Sequence, residues 1–245
     1  MEMDRVIGVR SDKTVFRAKD KVIKMFDDGY SKSDILNEAL NQSRIEEMGM
    51  NIPKILEVGK IDGRWAIIQE FIEGKQLEYL MGTNPEKMAE YLDNMAQLQW
   101  DMHQKKPPLL NKLTDTLTRK IAACDLNATV RYDIIAQLQE MPKGNSLCHG
   151  DFVPGNIIVG TKGEYFMLDF SHSCVGNPLA DVAKSYILLG LHFGEDIAEK
   201  YIALYCDKSG GKTEDVKKWL RVVAASELCY VGDEVKQILT KFLSR

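Results

Sequence analysis

Residues 146–172 read SLCHGDFVPGNIIVGTKGEYFMLDFSH. Two apolar runs, IIV at 157–159 and YFML at 165–168, flank the turn-forming stretch from Thr161 to Glu164, so the segment predicts a short antiparallel strand pair. Polar side chains gather at its open end. Asp151 and Asn156 lie in the loop before the first strand, and Asp169 follows the second. If the strands pair across the turn, a carboxylate, an amide oxygen and a second carboxylate converge. Such an all-oxygen set suits Mg²⁺, which takes one or two carboxylates together with substrate phosphates. Phosphoryl transfer needs this chemistry, with a further carboxylate to receive or orient the attacking hydroxyl.

Outward from this hairpin the two sides of the chain differ in texture. Toward the N-terminus, TVFRA (14–18) and KVIKMF (21–26) are β-branched and aromatic runs separated by Lys19 and Asp20, which predicts a hairpin. SKSDILNEALNQSRIEEMGM follows as a helix, with Ile35, Leu36, Ala39, Leu40 and Ile45 near helical spacing. KILEVGKIDGRWAIIQEFIEG then predicts two strands about Asp62-Gly63, ending at Gly74. Beyond Gly74 the pattern turns helical. Pro85 to about His103 places Met88, Tyr91, Leu92, Met95 and Leu98 on one face and ends before Pro107-Pro108. The stretch 113–141 predicts helix in two pieces, and three more helical stretches follow 178. The fold class is therefore α+β: a small lobe of strands with one helix, 1–74, and a larger mainly helical lobe, 75–245, that contains the hairpin.

Composition narrows the function classes. With 245 residues, 44% of them hydrophobic, the chain has enough apolar surface for a sizeable core. Its 32 basic and 36 acidic residues give a net charge of −4, without the basic footprint of a nucleic-acid binder. Cys124, Cys148, Cys174, Cys206 and Cys229 are odd in number and contain no CxxC pair, which predicts reduced thiols and argues against disulfides and zinc. The N-terminal MEMDRVIGVRSDK has charges where a signal peptide needs an apolar run, and no stretch is long and apolar enough to span a bilayer. These features predict a cytoplasmic protein with no membrane partner.

HGDFVPGN fills the frame H-x-D-x-x-x-x-N of the kinase catalytic loop, and LDFSH stands where D-F-G stands. Gly150 in place of the loop Arg and Ser171 in place of the DFG glycine make the chain resemble the aminoglycoside phosphotransferase and choline kinase families, over nearly its whole length. The resemblance implies a two-lobed, protein-kinase-like fold and an ATP- and Mg²⁺-dependent phosphotransferase with an alcohol acceptor, GTP being the other candidate donor. It makes Asp151 the catalytic base and Asn156 and Asp169 the metal ligands, with His149 supporting the loop and Asp181 bracing it. Lys24 resembles the strand lysine that holds the α- and β-phosphates, and Glu38 its helix partner, although Glu46 and Glu47 lie on the same helix. QEFIEG (69–74) resembles the hinge, where the Glu70 carbonyl and the Ile72 amide would meet the adenine. The 1–74 lobe would then bind nucleotide and the 75–245 lobe carry catalysis and acceptor.

Departures bear on phosphate contacts. GVRSDKTVF offers Gly8 alone and no G-x-G-x-x-G, and Ser171 gives up the backbone freedom of glycine beside a metal ligand. Two readings stay open: a small-molecule kinase, and a pseudokinase on the same scaffold that binds nucleotide or a partner without turnover. A protein kinase is disfavoured by the short connection from Phe170 to the helix near Leu179 and by the lack of an A-P-E motif. Glu195, Asp196, Glu199, Asp207, Glu214 and Asp215 could face a cationic acceptor, but they are expected to be solvated helix faces. His103 and His172 are read as ordinary polar residues, and Trp65, Trp100 and Trp219 as packing residues.

Overall fold

The computed structural model describes residues 5–9, 13–107 and 109–243. Residues 1–4 and 10–12 of the N-terminal stretch and of the Gly8 loop, and Pro108, lie outside the described residues. In chain order the elements are β1 (Arg5–Val9), β2 (Lys13–Ala18), β3 (Lys21–Phe26), α1 (Lys32–Glu46), β4 (Ile55–Ile61), β5 (Arg64–Glu70), β6 (Gly74–Gln76) and α2 (Leu77–Thr83). Next come α3 (Met88–His103), α4 (Leu113–Ala123), α5 (Ala128–Glu140), β7 (Ser146–Cys148), β8 (Ile157–Gly160), β9 (Tyr165–Met167) and β10 (Cys174–Gly176). The chain then runs through α6 (Pro178–Phe193), α7 (Glu195–Ser209), α8 (Thr213–Lys217), α9 (Leu220–Glu227) and α10 (Asp233–Thr240). Two compact units result, one of residues 1–80 with 155–171 and one of 81–154 with 172–245.

The first unit is built on an antiparallel sheet in the order β1-β2-β3-β5-β4. Asp62 and Gly63 both take positive φ (49° and 83°), the pair of left-handed residues that a two-residue hairpin turn requires. Strand β3 is central and buried over nearly its whole length, so its side chains alternate between two apolar faces. Ile23 joins Ala18, Ala66 and Ile68 on one face. Phe26 joins Ile67 and the α1 residues Ile35 and Ala39 on the other. Leu36 and Leu40, expected to be on the apolar face of α1, are 42% and 48% exposed, while Glu38 and Gln42 are buried in their place. The helix turns these polar groups inward because each has a partner there: Gln42 Nε2 donates to the Pro53 carbonyl (2.7 Å) and to Gln69 Oε1 (3.3 Å), and Glu38 meets lysine.

A second sheet, in the order β6-β8-β9, carries the hairpin of residues 157–167. Its third strand, β6, is only three residues long, and sequence periodicity cannot register so short a run. Gly74 pairs with Gly160, and a Cβ on Gly74 would lie 2.3 Å from the Val159 carbonyl oxygen. Only glycine lets the backbones approach so closely.

The second unit is mainly helical. α6 lies at its centre and buries Ala180, Asp181, Val182, Ala183, Ser185, Tyr186, Ile187 and Leu189. Asn177 caps this helix by accepting from the Leu179 N–H (2.9 Å), and Pro178 occupies its first turn. Trp219 is buried as a packing residue. The expected face of α3 is shifted: Met88 and Leu98 are half-buried, whereas Gln99 and His103 are fully buried. The strands β7 and β10 pair antiparallel with Cys148 opposite Cys174. Cys124, Cys148, Cys174 and Cys206 are buried free thiols and Cys229 is exposed. No helix among the described residues is long and apolar enough to cross a membrane.

One half-buried ion cluster ties three helices of this unit together. Glu227 of α9 receives Lys120 of α4 at 2.9 Å and Lys184 of α6 at 3.2 Å. Burial pushes the Glu227 carboxyl up, but the two ammonium groups outweigh it and hold the group at about 2, down from 4.5. A depressed carboxyl contributes stability that is complete above its unfolded value and lost as pH falls through the folded one. Glu227→Gln is therefore expected to lower the melting temperature at pH 7 by on the order of 5 °C. The deficit should shrink as pH falls from about 4.5 toward 2. Thermal unfolding at pH 7 and pH 3 checks this, and an equal deficit at both would contradict it.

Candidate active site

In the first unit the strand register places Lys24 opposite Ile67, on the face that α1 covers. Its ammonium lies 3.1 Å from Glu38 Oε1 and 3.8 Å from Asp169 Oδ1. Burial works against the charge of Lys24, yet Asp169 and Glu38 together raise its pKa, so it is held as an ammonium. Of the three glutamates considered, Glu38, Glu46 and Glu47, Glu38 is the partner. Glu46 instead accepts from the Ile55 N–H at 2.7 Å.

Asp169 reaches this lysine through backbone geometry. The β8–β9 ladder pairs Ile157 with Met167 and is extended by a Leu168 N–H bond to the Asn156 carbonyl (2.8 Å). Asn156 and Asp169 are thereby fixed at the same end of the hairpin. Asp169 itself takes a left-handed conformation (φ 61°). A non-glycine residue there is strained by about 1 kcal/mol or more, and such residues gather at functional sites. Ser171 is not among the positive-φ residues. A serine at position 171 therefore meets no conformation that requires glycine.

The expected hinge residues follow β5. Glu70 pairs across the sheet with Lys21, and its Oε2 accepts from the Lys54 N–H at 3.2 Å. The Phe71 N–H donates to the Asp20 carbonyl at 2.9 Å. The Arg17 guanidinium stacks on the Phe71 ring at 3.8 Å and meets Glu73 at 3.3 Å, which holds the segment that contains Ile72.

In the second unit the catalytic-loop motif is built around Asp181. Its carboxylate accepts from the backbone N–H of Gly150 (2.7 Å) and of His149 (3.1 Å). Gln99 Nε2 at 3.1 Å and His103 Nε2 at 3.2 Å complete its surroundings. Burial pushes the Asp181 carboxyl up. The hydrogen bond and charge of His103 and the Gly150 N–H outweigh that and hold it below its ordinary value. His149 is fully buried, and its Nδ1 accepts from the Asp151 N–H at 3.3 Å. Ser185 Oγ donates to the Phe152 carbonyl at 2.8 Å, so the loop is held on both sides of Asp151. The departure from the kinase His-Arg-Asp pattern has a steric cause. Gly150 has φ 78°, and a Cβ there would lie 2.4 Å from the His172 carbonyl oxygen.

The structure thus gathers Lys24, Glu38, Asp169 and the Asn156 backbone in one unit, and Asp151, His149 and Asp181 in the other. Sequence reasoning missed two participants. Lys13, the first residue of β2, lies 3.6 Å from Glu38 Oε2 and 3.6 Å from Asp169 Oδ2. In sequence it stands among other charges with nothing to mark it. His103, read as an ordinary polar residue, is buried against Asp181 and shares a 2.7 Å hydrogen bond with Tyr205. Its spacing of four from Gln99 on α3 was the available signal. Of the acidic residues considered for a cationic acceptor, Glu199 is paired with Lys217 (2.8 Å) and Asp215 with Lys218 (2.6 Å), while Glu195, Asp196, Asp207 and Glu214 are exposed.

Metal fit can be judged from the donor set. Among the described residues no group of three or more His, Cys, Asp or Glu could hold an ion by itself. Asp169, with Asn156 held at the same end of the hairpin and two lysines beside it, would suit a hard cation that arrives with phosphate oxygens, as Mg²⁺ does, rather than zinc or a resident calcium.

Comparison with known proteins places these features in context. The model of the phosphotransferase enzyme family matches residues 5–219. Among solved structures, the choline kinase LicA from Streptococcus pneumoniae aligns with a TM-score of 0.71 at 15% identity, over 100% of this chain and 93% of that one. An aminoglycoside-3'-phosphotransferase of type VIII aligns at 0.68 and 17% identity, over 92% and 93%. A thermostable aminoglycoside phosphotransferase APH(4)-Ia mutant, in a ternary complex with AMP-PNP and hygromycin B, aligns at 0.65 and 14%, over 98% and 91%. At these identities the likeness establishes the kinase-like fold, an N-terminal antiparallel sheet with a mainly helical C-terminal part. No curated protein matches the chain significantly by sequence.

Proposed function

The chain belongs to the phosphotransferase enzyme family, and on that premise we propose that it transfers the γ-phosphate of ATP to a hydroxyl of a small molecule, with Mg²⁺ on the phosphates. The observation that carries this reading is the buried Lys24–Glu38 pair, 3.1 Å long, with the left-handed Asp169 beside it. A buried lysine kept charged by two carboxylates is a ready partner for phosphate. In this reading Lys24 holds the α- and β-phosphates and Glu38 keeps its ammonium in place. Asp169 and Asn156 would hold the metal, which when bound neutralises charge on the transferring phosphoryl group. The Glu70 carbonyl and Ile72 amide are assigned to the adenine edge.

Asp151 takes the proton of the acceptor hydroxyl as its oxygen attacks phosphorus. It is half-buried and sits on a loop whose flanking amides are fixed by Asp181 and His149. Rigid placement of a base counts for more than its intrinsic strength in this chemistry. His149 and Asp181 act as positioning residues. The full complement of charged groups favours turnover over a pseudokinase role.

The acceptor is taken to be a hydroxyl-bearing small molecule such as an amino alcohol, amino sugar or aminoglycoside. Between Asp169 and α6, residues 170–172 form a 3₁₀ turn and residues 174–176 pair with β7. Pairing occupies the connection that a peptide would need to lie along. Purified protein with Mg-ATP should therefore phosphorylate at least one member of a panel of choline, ethanolamine, amino sugars, aminoglycosides and nucleosides, read by mass spectrometry. Degenerate peptide mixtures should stay unlabelled in parallel. Stoichiometric peptide phosphorylation without small-molecule turnover would reverse the assignment of acceptor.

A further inference from the structure

Lys13 is an unusual lysine. Its side chain is 9% exposed, yet its ammonium makes no hydrogen bond with any described residue. Its nearest described acceptors are Glu38 Oε2 and Asp169 Oδ2, each at 3.6 Å, and the Phe26 ring lies 5.8 Å away. An ammonium carries three donors, and leaving them unmatched away from water is costly. Glu38 Oε2 likewise accepts no hydrogen bond from a described residue. The four groups form a closed set in which each lysine faces one oxygen of each carboxylate: Lys24 takes Glu38 Oε1 and Asp169 Oδ1, and Lys13 takes Glu38 Oε2 and Asp169 Oδ2. The Lys24–Glu38 pairing is tight at 3.1 Å; the other three, at 3.6 to 3.8 Å, are loose.

Position in the chain bears on what Lys13 is for. It opens β2, directly after the stretch where kinases of the glycine-rich type supply backbone N–H groups to phosphate. That stretch here has Gly8 alone and no G-x-G-x-x-G. We propose that Lys13 is a second phosphate-binding lysine, donating from β2 to the nucleotide phosphates beside Lys24 and supplying charge where a glycine-rich loop would supply amides. The proposal rests on the nucleotide-dependent reading above. It adds that phosphate affinity is divided between two lysines, so that neither is indispensable for binding.

Equilibrium binding of ATP, ADP and adenosine, by calorimetry, tests it with Lys13→Met, Lys24→Met and the double variant. Methionine keeps an unbranched apolar stem of similar length while removing the charge. Lys13→Met is expected to weaken ATP and ADP about tenfold or more, the scale of one charge-assisted hydrogen bond, and to leave adenosine within twofold. Lys24→Met should keep a measurable preference for ATP over adenosine, and the double variant should lose it. A second measurement uses the unaltered protein with an acyl phosphate of ATP. A lysine amine beside the phosphates attacks the acyl carbonyl, an amide forms, ATP leaves and the proton goes to solvent. Peptide mapping should find the acyl group on Lys13 as well as Lys24.

Acylation of Lys24 alone would overturn the proposal, and so would a Lys13→Met protein that melts lower but keeps the parent's ratio of ATP to adenosine affinity. Failure of the unaltered protein to bind ATP at all would instead remove the nucleotide reading on which the proposal stands.

Discussion

Asp151→Asn is expected to lower turnover by ~10²-fold or more while ATP affinity stays within a few-fold. Asparagine keeps the shape and the hydrogen bonds of the loop but has no capacity to take a proton from the acceptor hydroxyl. The Asp151 N–H bond to His149 Nδ1 and the Asp181 contacts with the His149 and Gly150 amides do not use the Asp151 side chain, so they survive the change. A pure catalytic defect follows. Turnover and calorimetric ATP binding measured on one preparation provide the check, and a parallel fall in both would remove Asp151 from the role of base.

Asp169→Ala should have an effect of the same size by a different route. Loss of this carboxylate removes the proposed link between metal and phosphates, so the extra ATP affinity that Mg²⁺ confers should largely vanish and turnover should fall by ~10²–10³-fold. Adenosine affinity should hardly change, because the segment after β5 is untouched. Lys24 keeps its contact with Glu38 at 3.1 Å, so the ion pair at the back of the site does not collapse with the substitution. Alanine also relieves little of the strain at φ 61°, since that conformation disfavours every residue with a Cβ. Metal-dependent ATP binding identical to that of the parent would exclude Asp169 as a ligand.

The two predictions separate the units by chemistry. Changes at Asp151 should register in the rate constant with the acceptor present, and changes at Asp169, Lys24 or Lys13 in nucleotide affinity. A pseudokinase would respond to the second set and not to the first.

Much of this was readable from residue order. The spacing of His149, Asp151, Asn156 and Asp169, with Lys24 and Glu38 ahead of them, named the family before any coordinates, because phosphoryl transfer admits few residue types at each post. The strands β2 to β5 and the helices α1, α3 and α6 were legible too, since each carries a long enough apolar period. Strands β1, β6 and β10 were not. They are short, contain glycine or charge, and exist because a neighbouring strand offers them hydrogen bonds.

Which polar residues are buried was settled only in three dimensions. A sequence shows that α1 contains leucines and glutamates, and burial by hydrophobicity would turn Leu36 and Leu40 inward. The fold instead exposes them and buries Glu38, whose carboxylate has the ammonium groups of Lys24 and Lys13 as partners there. Similarly, Asp181 appeared as one acidic residue after the metal motif, and its enclosure depends on the Gln99 and His103 side chains of α3 and the loop amides converging on it from elsewhere in the chain. Short-range pattern determined the elements and the motif, because periodicity and turn chemistry act between near neighbours. The charge network was decided by tertiary structure, since a buried ion is stable only where residues distant in sequence surround it with partners.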